Sequence, residues 1–120
     1  MKCTFLLSIL IFLLLLPGCA GLITYQDSER QKKYIHSHPE VPIYIQTKIS
    51  ESKIVKGMTK EHVIASWGHP YDINRLVNSS GVHEQWRYGY KYYGFSWYYR
   101  WIPTYFLYFE NGKLDSWQDL

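Results

Sequence analysis

The sequence predicts an α+β fold in which two short N-terminal helices pack on one face of a three- to four-stranded antiparallel sheet. Three observations carry that expectation. Residues 56–70 hold a short helix with its own start and stop signals, residues 82–92 alternate apolar and polar side chains, and Asn111-Gly112 lies between two apolar runs as a hairpin turn. Helical pattern comes first and strand pattern follows, so the two classes are segregated along the chain, as in α+β folds.

The chain opens with Lys2 and an apolar run from Phe5 to Leu16 broken only by Ser8. That length matches a secretory h-region and is too short for an ordinary spanning helix. The run ends in Leu16-Pro17-Gly18-Cys19-Ala20, which resembles a lipobox cut before the cysteine. Residues 1–18 are therefore expected to be a lipoprotein signal peptide, with Cys19 carrying the lipid. Of the two cysteines, Cys3 would leave with the signal, so no pair remains for a disulfide. Each buried acyl methylene contributes about 0.8 kcal/mol, and more than one chain gives stable attachment. Ala20 after the cysteine resembles the outer-membrane sorting class.

Residues 19–38 are expected to form a flexible tether. The stretch is polar and weakly patterned, with few apolar groups to offset the cost of ordering the backbone. His36 and His38 stand as His-x-His, but no further ligand lies at a recognisable spacing, so no metal and no cofactor is expected.

Residues 39–120 are expected to be the folded domain. A first helix is read over Pro39 to Ser52, with Pro42 in its first turn and Ile45 and Ile49 on one face. Glycine at position 57 points to a turn that a side chain would obstruct. Thr59 is the N-cap of the second helix, Met58 and Val63 have the spacing of a hydrophobic staple, and Glu61 suits the positive helix end. Val63, Ile64 and Trp67 form its apolar face, Gly68 ends it and Pro70 prevents its resumption. Tyr71 to Val77 follows as an imperfect strand, and Asn78-Ser79-Ser80-Gly81 as a turn. From Val82 to Tyr92, residues Val82, Glu84, Trp86, Tyr88, Tyr90 and Tyr92 share one parity, with Glu84 expected to reach water near the strand's start. Tyr105 to Phe109 and Lys113 to Gln118 flank the Asn111-Gly112 turn as the last strands.

Gly57-Met58-Thr59, Val63 and Gly68-x-Pro70 resemble the signature of the SmpA/OmlA (BamE-like) outer-membrane lipoproteins, whose fold is like that of beta-lactamase-inhibitor protein. Glu84-Gln85-Trp86-Arg87-Tyr88 and Leu107 to Leu114 resemble the strands of the same family, so the likeness covers most of residues 39–120. Tyr90 to Pro103 is longer and more aromatic than that pattern. The resemblance implies a non-catalytic interaction module on the periplasmic side of the outer membrane, anchored through Cys19 and serving outer-membrane assembly or maintenance with an envelope protein partner.

That aromatic stretch runs from Tyr90 to Pro103, and its rings are too many to face one small core. The bland reading is a long hairpin turning near Gly94, with Trp97, Tyr99 and Trp101 on one face and Tyr98, Arg100 and Ile102 on the other. Pro103 removes a ladder donor and belongs at an edge or bulge. The functional reading is a binding surface of Tyr92, Trp97, Tyr98, Tyr99, Arg100 and Trp101, the residue types enriched at interface hot spots. Two alternatives use the same sheet: glycan or lipid-headgroup binding by the rings, and inhibitor-like binding of an enzyme through the open face. Once Lys2 leaves with the signal, 12 basic side chains stand against 10 acidic ones, a balance that argues against a dedicated nucleic-acid binder. No small-molecule ligand is expected. His62, His69, Ser66, Ser96 and the Asp72–Glu84 pair lack the contexts that would make them catalytic, so the chain is read as not an enzyme.

Overall fold

Three helices precede a four-stranded antiparallel sheet in the computed structural model, which describes residues 20–95 and 98–120. The expected signal peptide, Cys19, Ser96 and Trp97 lie outside the described residues. The helices are α1 (Ala20–Ser37), α2 (Ile43–Ser50) and α3 (Lys60–Trp67). The strands are β1 (Asp72–Asn78), β2 (Gly81–Tyr93), β3 (Tyr99–Glu110) and β4 (Lys113–Asp119), lying side by side in chain order. Among the described residues no helix is long and apolar enough to cross a membrane.

The α3 signals act as read. Thr59 Oγ1 accepts from the His62 N–H, and the His62 ring Nδ1 accepts from the Thr59 N–H, each at 3.2 Å. This is a capping box with histidine in place of the usual Glu or Gln. The staple residues Met58 and Val63 are fully buried. Gly68 ends the helix at φ +85°, ψ −174°, a region that other residues enter only at a cost of about 1–3 kcal/mol.

The stretch before α3 also reaches the far end of the chain. Gly57 N–H donates to the Leu114 carbonyl (2.7 Å), and Leu114 N–H donates to the Met58 carbonyl (2.8 Å). Gly57 needs its φ of +90° for this turn, yet a Cβ there would meet nothing within 4 Å. The expected steric obstruction is thus absent, and conformation alone selects glycine. The tie lays α3 over the sheet, where Ile49, Ile54, Met58, Val63 and Ala65 close on Trp86, Leu107, Phe109 and Leu114.

Three further expectations need correction. Residues 19–38 were expected as a tether, but the chain is helical from Ala20 to Ser37. Its anchors are polar. Arg30 donates from Nε to the Ala65 carbonyl and from Nη2 to the Ser66 carbonyl, each at 3.1 Å. Gln31 Nε2 donates to the Ser66 carbonyl (3.1 Å) and to Ser52 Oγ (2.7 Å). Ala65 and Ser66 lie in the last turn of α3, whose carbonyls have no partner within the helix and attract a cation. Tyr34 and Ile35 add apolar contact with the core.

The second correction concerns α2, which spans Ile43–Ser50 with Pro42 as its N-cap, not Pro39–Ser52. Pro42 forces the residue before it out of the helical region, so the helix cannot begin earlier. Third, Glu84 does not reach water. It is 8% exposed, and its carboxylate accepts from Trp86 Nε1 (2.8 Å) and Lys60 Nζ (3.1 Å), with Arg75 Nε at 3.6 Å.

The docking of α1 yields a direct test. Replacing Arg30 and Gln31 together by alanine removes the four hydrogen bonds that tie α1 to the rest of the chain, two of them from a charged donor. The expected local cost is about 2–4 kcal/mol. Hydrogen exchange should then accelerate through residues 28–37 while β2 and β3 stay protected. Unchanged protection would assign the docking to Tyr34 and Ile35.

Candidate functional site

The residues singled out in the sequence separate into two groups in space. Gly57, Met58, Thr59, Val63, Trp67, Gly68 and Pro70 are structural: they shape α3 and its joints. Trp67 is half-buried, donates from Nε1 to the Ser52 carbonyl (2.9 Å) and packs its ring 5.0 Å from that of Tyr105. Tyr92, Tyr99, Arg100 and Trp101, with Tyr98 just before β3, lie together at the far end of the sheet, where no other described strand flanks β2 and β3.

This arm arises from unequal strand lengths. β1 pairs with β2 only from Asp72, opposite Arg87, and β4 pairs with β3 only as far as Tyr105, opposite Asp119. Beyond Tyr88 and Tyr105 the two middle strands continue alone. At the root Tyr88 pairs with Tyr105 but Gly89 pairs with Pro103, leaving Thr104 as an extra residue in a bulge. Thr104 Oγ1 returns a hydrogen bond to the Tyr88 carbonyl (3.3 Å). A Cβ on Gly89 would overlap the Ile102 carbonyl and crowd Pro103 Cα, so the close approach of backbones requires glycine. Pro103 sits beside the bulge, past the end of β4, as its missing N–H demands.

The rungs divide the arm into two faces. Tyr90–Ile102 and Tyr92–Arg100 share one; Lys91–Trp101 and Tyr93–Tyr99 share the other. Each face holds a cation over rings. Lys91 Nζ lies 4.6 Å from the Tyr99 ring centre and 5.3 Å from that of Trp101, and the Arg100 guanidinium is 5.7 Å from that of Tyr92. Tyr71, at the entry to β1, stacks on Trp101 with centroids 4.6 Å apart and planes within 8°, bracing the arm against the body. Toward the tip exposure rises: Tyr93 is 70% exposed, Tyr98 83%, and Phe95 stands wholly in solvent. Trp101 is thus largely a brace, whereas Tyr92, Tyr98 and Tyr99 are presented outward.

Gly89 and Tyr71 are parts of this site that the sequence reading missed. A glycine inside an otherwise alternating strand was the available signal for Gly89, since such a residue often marks a bulge or a close backbone approach. Nothing local marks Tyr71, whose partner lies thirty residues away.

The titratable candidates have other roles. Asp72 pairs with Arg87 (3.1 Å) on the uncovered sheet face, while Glu84 points to the helix side, so strand alternation separates the two carboxylates. Ser66 is buried and donates to the Lys53 carbonyl (2.7 Å). His38 stacks on Tyr34, whose carbonyl lies 2.9 Å from the His38 ring Nδ1, and His69 is exposed. Among the described residues no three His, Cys, Asp or Glu side chains gather as a metal site. Burial lowers the His62 pKa from its ordinary value, Lys113 and His38 lower it further, and Glu61 opposes them. Burial alone would raise Glu84, but the bonds from Trp86 and Lys60 and the charges of Lys60 and Arg75 outweigh it and hold the carboxyl below its ordinary value. Burial raises the Tyr88 phenol, which donates to the Gly68 carbonyl (2.7 Å).

No protein-family model, curated protein or solved structure matches this chain.

Two measurements follow from this geometry. Gly89→Ala should displace Ile102 and Pro103, costing about 1–3 kcal/mol and breaking the Tyr71–Trp101 stack. Near-ultraviolet circular dichroism would report the lost stack while far-ultraviolet helix signal persists. The second is an acid titration of stability. His62 and Glu84 both hold fewer protons folded than unfolded as they titrate, so their contributions are complete at neutral pH and decline as pH falls. His62 declines first, below 6.5, because its protonated ring cannot accept from Thr59; Glu84 follows below 4.5. In urea melts His62→Gln, which keeps a capping box, should remove the first decline, and Glu84→Gln the second. Glu84→Gln should also cost about 1–3 kcal/mol at neutral pH.

Proposed function

We propose that this chain is an envelope lipoprotein, anchored through Cys19 and facing the periplasm from the outer membrane, that works as a non-catalytic protein-interaction module in outer-membrane assembly or maintenance. The β2–β3 arm is the surface it offers. The reading draws on the lipobox-like Leu16 to Ala20 and on the resemblance of Gly57 to Pro70 to the SmpA/OmlA signature. The observation that carries it is the arm's exposure: Tyr92, Tyr93, Phe95, Tyr98 and Tyr99 are each at least half exposed on a two-stranded ribbon. A ribbon of two strands is at best marginally stable alone in water, and its Tyr, Trp and Arg content matches buried interface anchors. Binding would cover these rings and add order to the arm.

Sugar stacking through the same rings is the weaker reading. A tryptophan platform needs an open ring face, and Tyr71 lies flat against Trp101. The uncovered sheet face, on which inhibitor-like binding would rely, presents half-buried Phe106 and Tyr108 and the Arg87–Asp72 pair.

The test places a photo-cross-linking residue at position 98 of the lipidated chain in intact envelopes. A discrete protein adduct is expected, and it should disappear when Tyr92 and Tyr99 become alanine. Cys19→Ser should release the chain from the membrane fraction. An unchanged adduct without those rings would reduce them to packing, and absence of any adduct would remove the interaction reading.

A further inference from the structure

We infer that the arm receives its partner by strand addition: an extended, acidic protein segment pairs with the open edge of β2 from Gly89 to Tyr93. This rests on the interaction reading above and specifies its chemistry. The edge follows from the ladder. Residues of an antiparallel strand alternate in sending their N–H and C=O to one neighbour or the other. Even-numbered residues of β2 face β3, as the Val82 carbonyl accepting from Asn111 N–H and the Gly94 N–H donating to the Tyr98 carbonyl show at its two ends. Odd-numbered residues face β1, as the Arg87 carbonyl accepting from Tyr71 N–H shows. β1 stops there. Gly89, Lys91 and Tyr93 therefore turn three donors and three acceptors toward an edge where no described strand lies.

The opposite edge of the arm is less suited. Its outward residues are Tyr99, Trp101 and Pro103, and proline supplies no donor, a common protection of edges. The β2 edge has no such block.

Charge selects the segment. From Gln85 to Phe109 the chain contains no acidic residue, while Lys91 and Arg100 lie within the arm. Among the described residues neither cation has a carboxylate partner; each is held over aromatic rings instead. Lys91 belongs to the open edge itself, so a residue paired opposite it would share its face of the ribbon. A carboxylate there forms a cross-strand ion pair with an ammonium already positioned by Tyr99 and Trp101. Neighbouring side chains of the segment would lie along Tyr90 and Tyr92 on the other face.

The experiment uses the full lipidated chain in detergent and a fluorescent peptide of alternating glutamate and valine. Its controls are the lysine-valine counterpart and a glutamate-valine peptide N-methylated at alternate residues on both edges in turn. Anisotropy should show the acidic peptide binding about tenfold or more tightly than the lysine one, with one N-methylation phase abolishing binding. Hydrogen exchange should slow at Gly89, Lys91 and Tyr93. Lys91→Glu should reverse the charge preference. Lys91→Pro removes one outward donor without touching the β2–β3 ladder and should abolish binding with the circular dichroism spectrum retained. Equal binding of both N-methylated peptides, or of both charges, overturns strand addition by an acidic segment. So does protection of these amides by anionic vesicles alone, which would indicate a membrane surface, or by concentrating the chain alone, which would indicate a second copy. If the position-98 envelope adduct survives Lys91→Pro, the interaction module stands and strand addition falls.

Discussion

The two hydrogen bonds between Gly57–Met58 and Leu114 join the helical half of the chain to its last strand. Helix α3 has eight residues, well short of the roughly 12–15 needed for marginal stability in water, so its order is borrowed from packing. That packing requires a fixed approach to the sheet. The bonds to Leu114 bring Met58 into the core and place Thr59 to cap the helix, so backbone pairing, burial and helix initiation occur within three consecutive residues. From there Lys60 reaches Glu84 on β2, and the last carbonyls of α3 become the docking site of α1. Loss of the Leu114 contact would therefore affect every helical element in turn.

The legible features were those whose causes lie close together in sequence. Thr59, Met58 and Val63 specify one another across a single turn, and Asn111 and Gly112 both take the positive φ that a tight hairpin asks of them. Parity in β2 correctly placed Trp86 on the core side. The docking of α1 was hidden because Arg30 and Gln31 bind backbone carbonyls thirty-five residues away, and any sequence supplies carbonyls. Hydrophobic periodicity reports apolar burial, whereas this helix is secured by completing the unpaired end of another. Glu84 was misplaced for a related reason. A carboxylate on an apolar face reads as solvent-seeking until Lys60 from α3 and Arg75 from β1 are known to converge on it.

The candidate site shows the same division. Its ring content, and the opposition of Tyr99 and Trp101 to Arg100 and Ile102, followed from composition and alternation. Its isolation did not, because that depends on where β1 and β4 stop. Asp72 and Asp119 end the outer strands at nearly the same level of the sheet, leaving β2 and β3 unaccompanied together.

An exposed aromatic ribbon would ordinarily be a liability, since bare edges and rings invite indiscriminate pairing. Several features here restrain it. A bulge such as the one at Thr104 favours a bent, more twisted ribbon, Pro103 supplies no donor at one edge, and the stack of Tyr71 on Trp101 ties the root to the body. The two cations, held over opposite faces, oppose the approach of a like-charged copy. What remains unrestrained is a short, directional stretch of β2 with one sign of charge. Under the strand addition inferred above, protecting one edge while leaving the other open would narrow contact to a segment of matching shape and opposite charge, a source of selectivity that an apolar surface alone does not supply.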